Sequence, residues 1–407
     1  MFLSDRSKFA QNPIEEEDKV ALALEKKGRR IVKINRGDPT KYFPTPDYII
    51  KAYVDALKLG KTAYSRADGE IFLKEAIVKR YRRLYKLKTD NDSVIVTAGL
   101  SEALMFLNSA LVNDGENAIL FNPYYPIYIQ SLRMNGGEPK IEQYDEKDNW
   151  NVHIDRLKRS LKILNSEGKV GRIKYMLVAN PNNPTGTVLR RNILKEVVDL
   201  ANQYDIMLIS DEIYDEIIYN GAKFTSISEI AKGTPYVILN GASKIFDATG
   251  FRIGFTIIPE EDKKSISLKE KLYYYALMRL SVNTPAQYAV AEALNNQSAH
   301  REAIRYMVSE IEKRTNHAVK LLSENQYLEV IRPNGAFYMF PRIKLDQLNI
   351  KHDKHFVDLL LREYGVQVTR GSGFGSPSHF RIVGLPPKEI LDYAINKINI
   401  FCKKHSR

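Results

Sequence analysis

The chain of 407 residues has a single cysteine, Cys402, with nothing in the chain to pair with it. An intrachain disulfide is therefore excluded, as is a cysteine-based zinc cluster or iron–sulfur centre, and no metal site is expected. That economy suits a reducing, intracellular compartment. Long apolar runs are also missing: no stretch approaches the roughly 18 uninterrupted apolar residues of a membrane helix. The opening Met1-Phe2-Leu3-Ser4-Asp5 is broken by polarity at once, unlike a secretory signal. A soluble protein of the cytoplasm, with no membrane partner, is the expectation. Acidic residues are in the minority, 49 Asp and Glu against 61 Lys and Arg, so the net charge is +12. Such a surplus suits nucleic acid, an anionic membrane or acidic metabolites, and does not choose among them. Fixed-period repeats and Pro/Ser/Gly-rich linkers are likewise lacking. What remains, 44% hydrophobic and 27% charged residues, is the make-up of a folded chain. At roughly 150 residues per domain it should form two or three units.

Short apolar, β-rich runs alternate with longer helical patterns. Ser93–Thr97, Asn117–Phe121, Lys174–Ala179, Asp205–Ser210 and Tyr236–Leu239 read as strands, with a helix over Glu102–Leu111 after the first. Continuous apolar strands separated by helices predict an α/β fold with a mostly parallel sheet covered on both faces. Beyond about residue 285 the texture changes. Long helical patterns (Ala286–Leu294, Arg301–Leu322) precede short strands near Tyr338–Phe340, Val366–Thr369 and Phe380–Val383, which predicts a smaller α+β domain. The expected division is a large domain over 49–285 and a small one over 286–407. Residues 1–48, with the amphipathic stretch Ile14–Lys27, should form a segment packed on the small domain and the active site.

Open α/β sheets bind ligands beyond the carboxyl ends of their strands, so the residues that follow each strand carry the functional signal. Val178-Ala179 leads into Asn180-Pro181-Asn182-Asn183-Pro184-Thr185-Gly186. Ser210 leads into Asp211-Glu212-Ile213-Tyr214, and Leu239 into Asn240-Gly241-Ala242-Ser243-Lys244, with Arg252 eight residues past the lysine. Val96 is followed by Gly99-Leu100-Ser101 opening a helix. Each piece alone has a bland reading: a turn for the NNPTG run, a helix N-cap for Asp211, a solvated charge for Lys244, a plain strand-to-helix turn for Gly99. Their order and shared position at strand ends raise them above that.

Together with Gly37-Asp38-Pro39, Tyr64 with Gly69, Pro123-Tyr124-Tyr125, Arg252-Ile253-Gly254, Gly335-Ala336-Phe337-Tyr338 and Phe380-Arg381, these motifs run in one order from about residue 30 to 385. In this the chain resembles the class I/II aminotransferases, fold-type I enzymes that use pyridoxal 5′-phosphate (PLP). The resemblance implies a Schiff base between PLP and Lys244, with the freed lysine then acting as general acid/base. It implies a carboxylate, Asp211, paired with the cofactor's ring nitrogen. Asn183 and Tyr214 would hydrogen-bond the ring hydroxyl, and Tyr125 would stack on the ring. The backbone at Gly99, Leu100 and Ser101, with Ser243 and Arg252, would seat the phosphate. Tyr64 would reach the phosphate in a neighbouring subunit, which implies a homodimer with shared sites. Arg381, Asn183 and the Gly37 backbone would hold the substrate, Arg381 forking onto its α-carboxylate.

Two features depart from the wider family: Gly241 stands where some members place a hydroxyl for the phosphate, and no residue matches a second arginine for a dicarboxylate side chain. The stretches around Asn35–Pro39, Asp148-Asn149-Trp150 and Val178–Pro181 are most similar to the alanine-aminotransferase-like branch. The implied reaction is ping-pong transfer of an amino group from alanine to 2-oxoglutarate, with Tyr42 and Phe43 as candidate side-chain pocket residues. Aspartate, aromatic or broad specificity, or a same-fold β-lyase, would use the same Lys244, Asp211 and Arg381. The basic, aromatic stretch Lys79–Lys86 raises nucleic-acid binding as a rival class. Leu73, Ile77, Tyr81 and Leu84 recur at helical spacing, however, which predicts a buried face with its charges solvated opposite. No helix-turn-helix pattern leads the chain, so no nucleic-acid partner is expected. Gly371-Ser372-Gly373-Phe374-Gly375 opens no predicted helix and reads as a flexible loop near Arg381 rather than a dinucleotide fingerprint.

Overall fold

The computed structural model describes residues 2–11, 13–259 and 263–407. After the helix Pro13–Glu25 comes a two-residue strand, β1 (Val32–Lys33). Eight further strands then assemble into one sheet: β2 (Val94–Thr97), β3 (Asn117–Asn122), β4 (Glu138–Asp145), β5 (Asn151–Val152), β6 (Ile173–Ala179), β7 (Met207–Asp211), β8 (Tyr236–Gly241) and β9 (Gly254–Ile257). Their spatial order is β2-β9-β8-β7-β6-β3-β4-β5. The run β8-β7-β6-β3-β4 is parallel, whereas β9 is antiparallel to both its neighbours and β5 to β4. The sheet is thus parallel in its middle and mixed at its edges.

Both faces are covered. Alternate residues split between two cores, with Val96, Met176, Leu208 and Ile238 on one side and Ile95, Leu177, Ile209 and Leu239 on the other. This two-sided burial explains why the central strands are almost continuously apolar. The helix Arg191–Gln203 shows the matching pattern, burying Ile193, Leu194, Val197, Val198 and Ala201 on one stripe.

Strand β4 was not foreseen from sequence, because Glu138, Lys140 and Glu142 alternate with apolar residues on a partly exposed edge. Strand β9 was not foreseen either; its reversal has a functional consequence. Because β9 runs against both β8 and β2, the carboxyl ends of β2 and β8 come to the same edge as those of β7, β6 and β3.

A further core, built around Phe356, Phe380, Ile395 and Phe401, lies in the C-terminal part. It is framed by β10 (Leu328–Glu329), β11 (Tyr338–Met339), β12 (Arg342–Ile343), β13 (Val366–Gln367), β14 (Thr369–Arg370) and β15 (Phe380–Val383). Strand β1 pairs in parallel with β13, which ties the N-terminal segment to this part. The helix Thr284–Asn295, assigned from sequence to the smaller unit, instead packs Ala286, Ala289 and Val290 into a core of the large sheet. The next helix, Gln297–Ser323, spans both: Ile304, Met307 and Ile311 enter the large core, and Ala318, Val319 and Leu322 the C-terminal one. Among the described residues no helix is long and apolar enough to cross a membrane.

Candidate active site

A cavity of about 300 Å³ opens at the carboxyl edge of the sheet, between it and β15. One wall is made by glycines whose backbones touch. Gly254 pairs with Thr97 on one side and Gly241 on the other. A Cβ on Gly254 would lie 2.8 Å from the carbonyl carbon of Gly99, and one on Gly241 would lie 2.7 Å from the Ile253 oxygen. No side chain fits at 241, which is the physical reason a hydroxyl is missing there. Gly99 (φ +81°) starts the helix Leu100–Leu111, and the Arg252 guanidinium lies where a Cβ of residue 99 would be. Free N–H groups at a helix start, one guanidinium and the nearby Ser101 and Ser243 hydroxyls make a seat for a phosphate.

Lys244 follows β8 and donates from Nζ to the Gly37 carbonyl at 2.7 Å. Enclosure by protein lowers its pKa to about 8, opposed by the Asp38 carboxylate and reinforced by Arg381 and Arg252. An amine so placed has a far larger neutral, nucleophilic fraction near neutral pH than an ordinary lysine, which favours covalent attachment to an aldehyde. Asp38 is itself fixed, accepting from Thr40 N at 3.2 Å and Thr249 Oγ1 at 3.0 Å. Asp211 ends β7 and is buried, which raises its pKa to about 6; hydrogen bonds from the Tyr128 hydroxyl and the Ile213 amide pull it back down. A buried carboxylate kept near ionisation is what a protonated ring nitrogen needs as its partner.

On the opposite wall stands Arg381, in β15 between the core residues Phe380 and Ile382. Its guanidinium donates to Asn183 Oδ1 at 2.9 Å and to the Asn35 carbonyl at 2.8 Å, and its buried Nε has no partner. The rings of Tyr338 and Phe374 lie 4.7 and 4.6 Å from it and fix its plane. Tyr338 also meets Tyr214 hydroxyl to hydroxyl at 2.8 Å, and its own hydroxyl occupies the space a side chain at Gly37 would need. The residues present therefore fit PLP: a phosphate seat, an amine of lowered pKa, a buried carboxylate, and a guanidinium with an unused donor for the substrate.

The sequence profile of "Aminotransferase class I and II" matches residues 30–398. The chain is 35% identical to the glutamate–pyruvate aminotransferase AlaA of Haemophilus influenzae, over 94% of this chain and 93% of that one. The alanine aminotransferase of Pyrococcus furiosus superposes with a TM-score of 0.93 at 33% identity, over 99% of this chain and all of that one. A double mutant of Thermus thermophilus aspartate aminotransferase superposes at 0.89 with 29% identity, over 98% and 100%. The chain belongs to the class I and II aminotransferases. It is a PLP-dependent transaminase of fold type I.

Within this aminotransferase, Gly37, Leu100, Ser101, Tyr125, Asn183, Asp211, Tyr214, Ser243, Lys244, Arg252 and Arg381 all border the one cavity, and Gly99 lies directly behind Arg252. Tyr64 does not border it and is 79% exposed. Tyr42 and Phe43, expected in a substrate pocket, are elsewhere: Phe43 is buried against Tyr306 and the Arg314 guanidinium, and neither borders the cavity. The glycine-rich stretch Gly371–Phe374 is a 3₁₀ turn rather than a loose loop, and buries Phe374 against Arg381. In the helix Ile71–Tyr85, Leu73, Ile77 and Tyr81 are buried as expected, but Leu84 is exposed. Arg80, expected on the solvated side, is buried and paired with Asp215 at 2.7 Å and Glu216 at 2.6 Å. Sequence reasoning passed over Arg36, Tyr128 and Thr249 and gave Tyr338 and Asp38 no role, though all five border the cavity. The Tyr125–Tyr128 spacing, one helical turn from a proposed ring-stacking residue, was the signal for Tyr128.

Proposed function

We propose that this aminotransferase moves the amino group of alanine to 2-oxoglutarate, giving pyruvate and glutamate in a ping-pong cycle. The single observation that favours this reading is the 35% identity, across nearly both full lengths, to an enzyme named for glutamate and pyruvate; the P. furiosus alanine aminotransferase supports it. PLP supplies the electron-withdrawing ring that stabilises negative charge at the substrate's α-carbon.

The chain's own residues divide the remaining work. Lys244 would hold the cofactor and, once displaced by substrate, carry a proton to and from the α-carbon on Nζ. Asp211, kept ionised by Tyr128, would hold the ring-nitrogen proton. Tyr214 and Asn183 would bond the ring hydroxyl, and Tyr125 would cover the ring face. Gly99, Leu100, Ser101, Ser243 and Arg252 would bind the phosphate. Arg381 would take the α-carboxylate with its free Nε and one Nη, beside the Gly37 backbone. In this division residues 49–285 bind the cofactor, 286–407 contribute the carboxylate grip, and 1–48 close the cavity.

The functional unit in this reading is a homodimer. Tyr64, Leu59, Tyr274, Leu277, Met278 and Leu280 are exposed. Bonds from Arg279 to the Ala67 carbonyl and from Thr284 to the Ala63 carbonyl bring the loop carrying Tyr64 beside the end of the helix Lys263–Arg279. An apolar face of this kind is suited to a second copy, into whose site Tyr64 would reach. Cys402 is buried and unpaired, in keeping with the cytoplasm.

The test is a donor screen on PLP-loaded enzyme, following each half-reaction by the cofactor's absorbance. Alanine and glutamate should convert fastest; inertness towards both would overturn the substrate assignment.

A further inference from the structure

The alanine-to-2-oxoglutarate reading makes one pocket bind two unlike partners, one with a methyl side chain and one with a distal carboxylate. Among the described residues four cations border the cavity: Lys244, Arg252, Arg381 and Arg36. The first three have cofactor or α-carboxylate roles in that reading. Arg36 has none. It immediately precedes Gly37, whose carbonyl receives the Lys244 amine. Its side chain is 60% exposed, which puts it at the mouth.

Arg36 pairs with Asp18 of the helix Pro13–Glu25 at 2.5 Å, Nη2 to Oδ2. Asp18 has other support. Its Oδ1 accepts from Gln367 Nε2 at 2.6 Å and from Asn35 Nδ2 at 3.4 Å, and its side chain is only 13% exposed. Asp18 is therefore held in place without Arg36, whereas among the described residues the arginine has no other side-chain hydrogen bond or ion pair.

We propose that Arg36 binds the distal carboxylate of five-carbon dicarboxylate substrates, exchanging Asp18 for that carboxylate, and stays with Asp18 when alanine or pyruvate is bound. The exchange swaps one carboxylate for another on the same guanidinium, so its charge is never left unpaired. Asp18 keeps its two amide donors when the arginine leaves. With alanine bound there is no second carboxylate, and the Arg36–Asp18 pair closes the mouth over the methyl group. A pocket that re-pairs in this way needs no fixed second arginine, so the lack of a family motif for one is no obstacle. The proposal rests on the aminotransfer reading for its substrates, and on geometry alone for the dicarboxylate site.

The experiment compares wild type with Arg36→Ala, Arg36→Lys and Asp18→Asn in two assays. In half-reactions, Arg36→Ala should lower kcat/KM for glutamate and 2-oxoglutarate by about 10- to 100-fold more than for alanine and pyruvate, the usual loss for a charge-assisted hydrogen bond. Arg36→Lys should restore part of that preference. Asp18→Asn, which removes the competing charge, should shift it the other way, towards glutamate. Calorimetric binding of glutarate, an unreactive five-carbon dicarboxylate, should weaken similarly in Arg36→Ala, while propionate binding, which lacks a distal charge, should not. Equal loss in both half-reactions, or unchanged glutarate affinity, would overturn the proposal. Wild-type enzyme that binds glutarate through Arg36 yet transaminates neither alanine nor glutamate would overturn the substrate reading and leave the dicarboxylate site standing.

Discussion

The Tyr128 hydroxyl donates a 2.6 Å hydrogen bond to Oδ2 of Asp211, at the buried end of β7. Burial raises the Asp211 pKa to about 6, and this bond is the leading influence that lowers it. In Tyr128→Phe the buried carboxylate loses a bond of roughly 1.5–3 kcal/mol, so its pKa should rise by about 1–2 units. The acid limb of the kcat/KM–pH profile should move up by that amount. A limb that does not move would show that the phenol only fills space.

Gly99→Ala tests the phosphate seat. The added methyl must displace the Arg252 guanidinium, and φ +81° is unfavourable for alanine. The affinity for PLP should fall by at least about 10-fold, the equivalent of one charge-assisted bond, with an unchanged far-ultraviolet circular dichroism spectrum. Undiminished affinity would place the phosphate elsewhere.

Arg381→Lys keeps the charge and loses the fork and the stacking on Tyr338 and Phe374. Steady-state kinetics should show kcat/KM reduced by roughly 10- to 100-fold for every amino acid and oxo acid alike. Sensitivity to the side chain of the substrate would argue against α-carboxylate binding.

The cofactor-free protein should lose stability as pH rises from about 5 to 8. Burial raises Glu17 to about 7, Glu212 to about 8 and Asp247 to about 8, so the folded state holds protons that the unfolded chain has released. With more protons on the folded side, stability is highest at the acid end of that window and is lost through the folded pKa values. Lys244, lowered to about 8, acts above the window: from there to its unfolded pKa the folded state binds fewer protons, and stability rises. The Asp247 Oδ1 is buried without a partner. In Asp247→Asn the decline should flatten by up to about 1.4 kcal/mol per pH unit, measured as Tm against pH. An identical slope would mean that Asp247 is not protonated in the folded state.

The strand-end motifs were legible because polar residues there interrupt continuous apolar runs, and in an open α/β sheet that place is a ligand site. Lys244, Asp211, Asn183 and Arg252 were found in this way and do border one cavity. What escaped depends on pairings distant in sequence. Arg80 looks like one of several surface cations, and only its packing against Asp215 and Glu216, more than 130 residues away, makes it a core residue. Arg36 looks like a loop cation until the N-terminal helix brings Asp18 to it. Phe43 looked like a side-chain pocket residue of the N-terminal loop, but it follows the turn at Pro39–Lys41 into the core. Strand β9 was hidden by its own glycine, Gly254, which sits between the carboxyl ends of β2 and β8.

The central claim is that Lys244 carries the cofactor. Borohydride reduction of the PLP-loaded enzyme, followed by peptide mapping with mass spectrometry, tests it directly. The account predicts one pyridoxyl-phosphate adduct, on Lys244, and none after Lys244→Ala; an adduct on another lysine, or no adduct on wild-type enzyme, would contradict it.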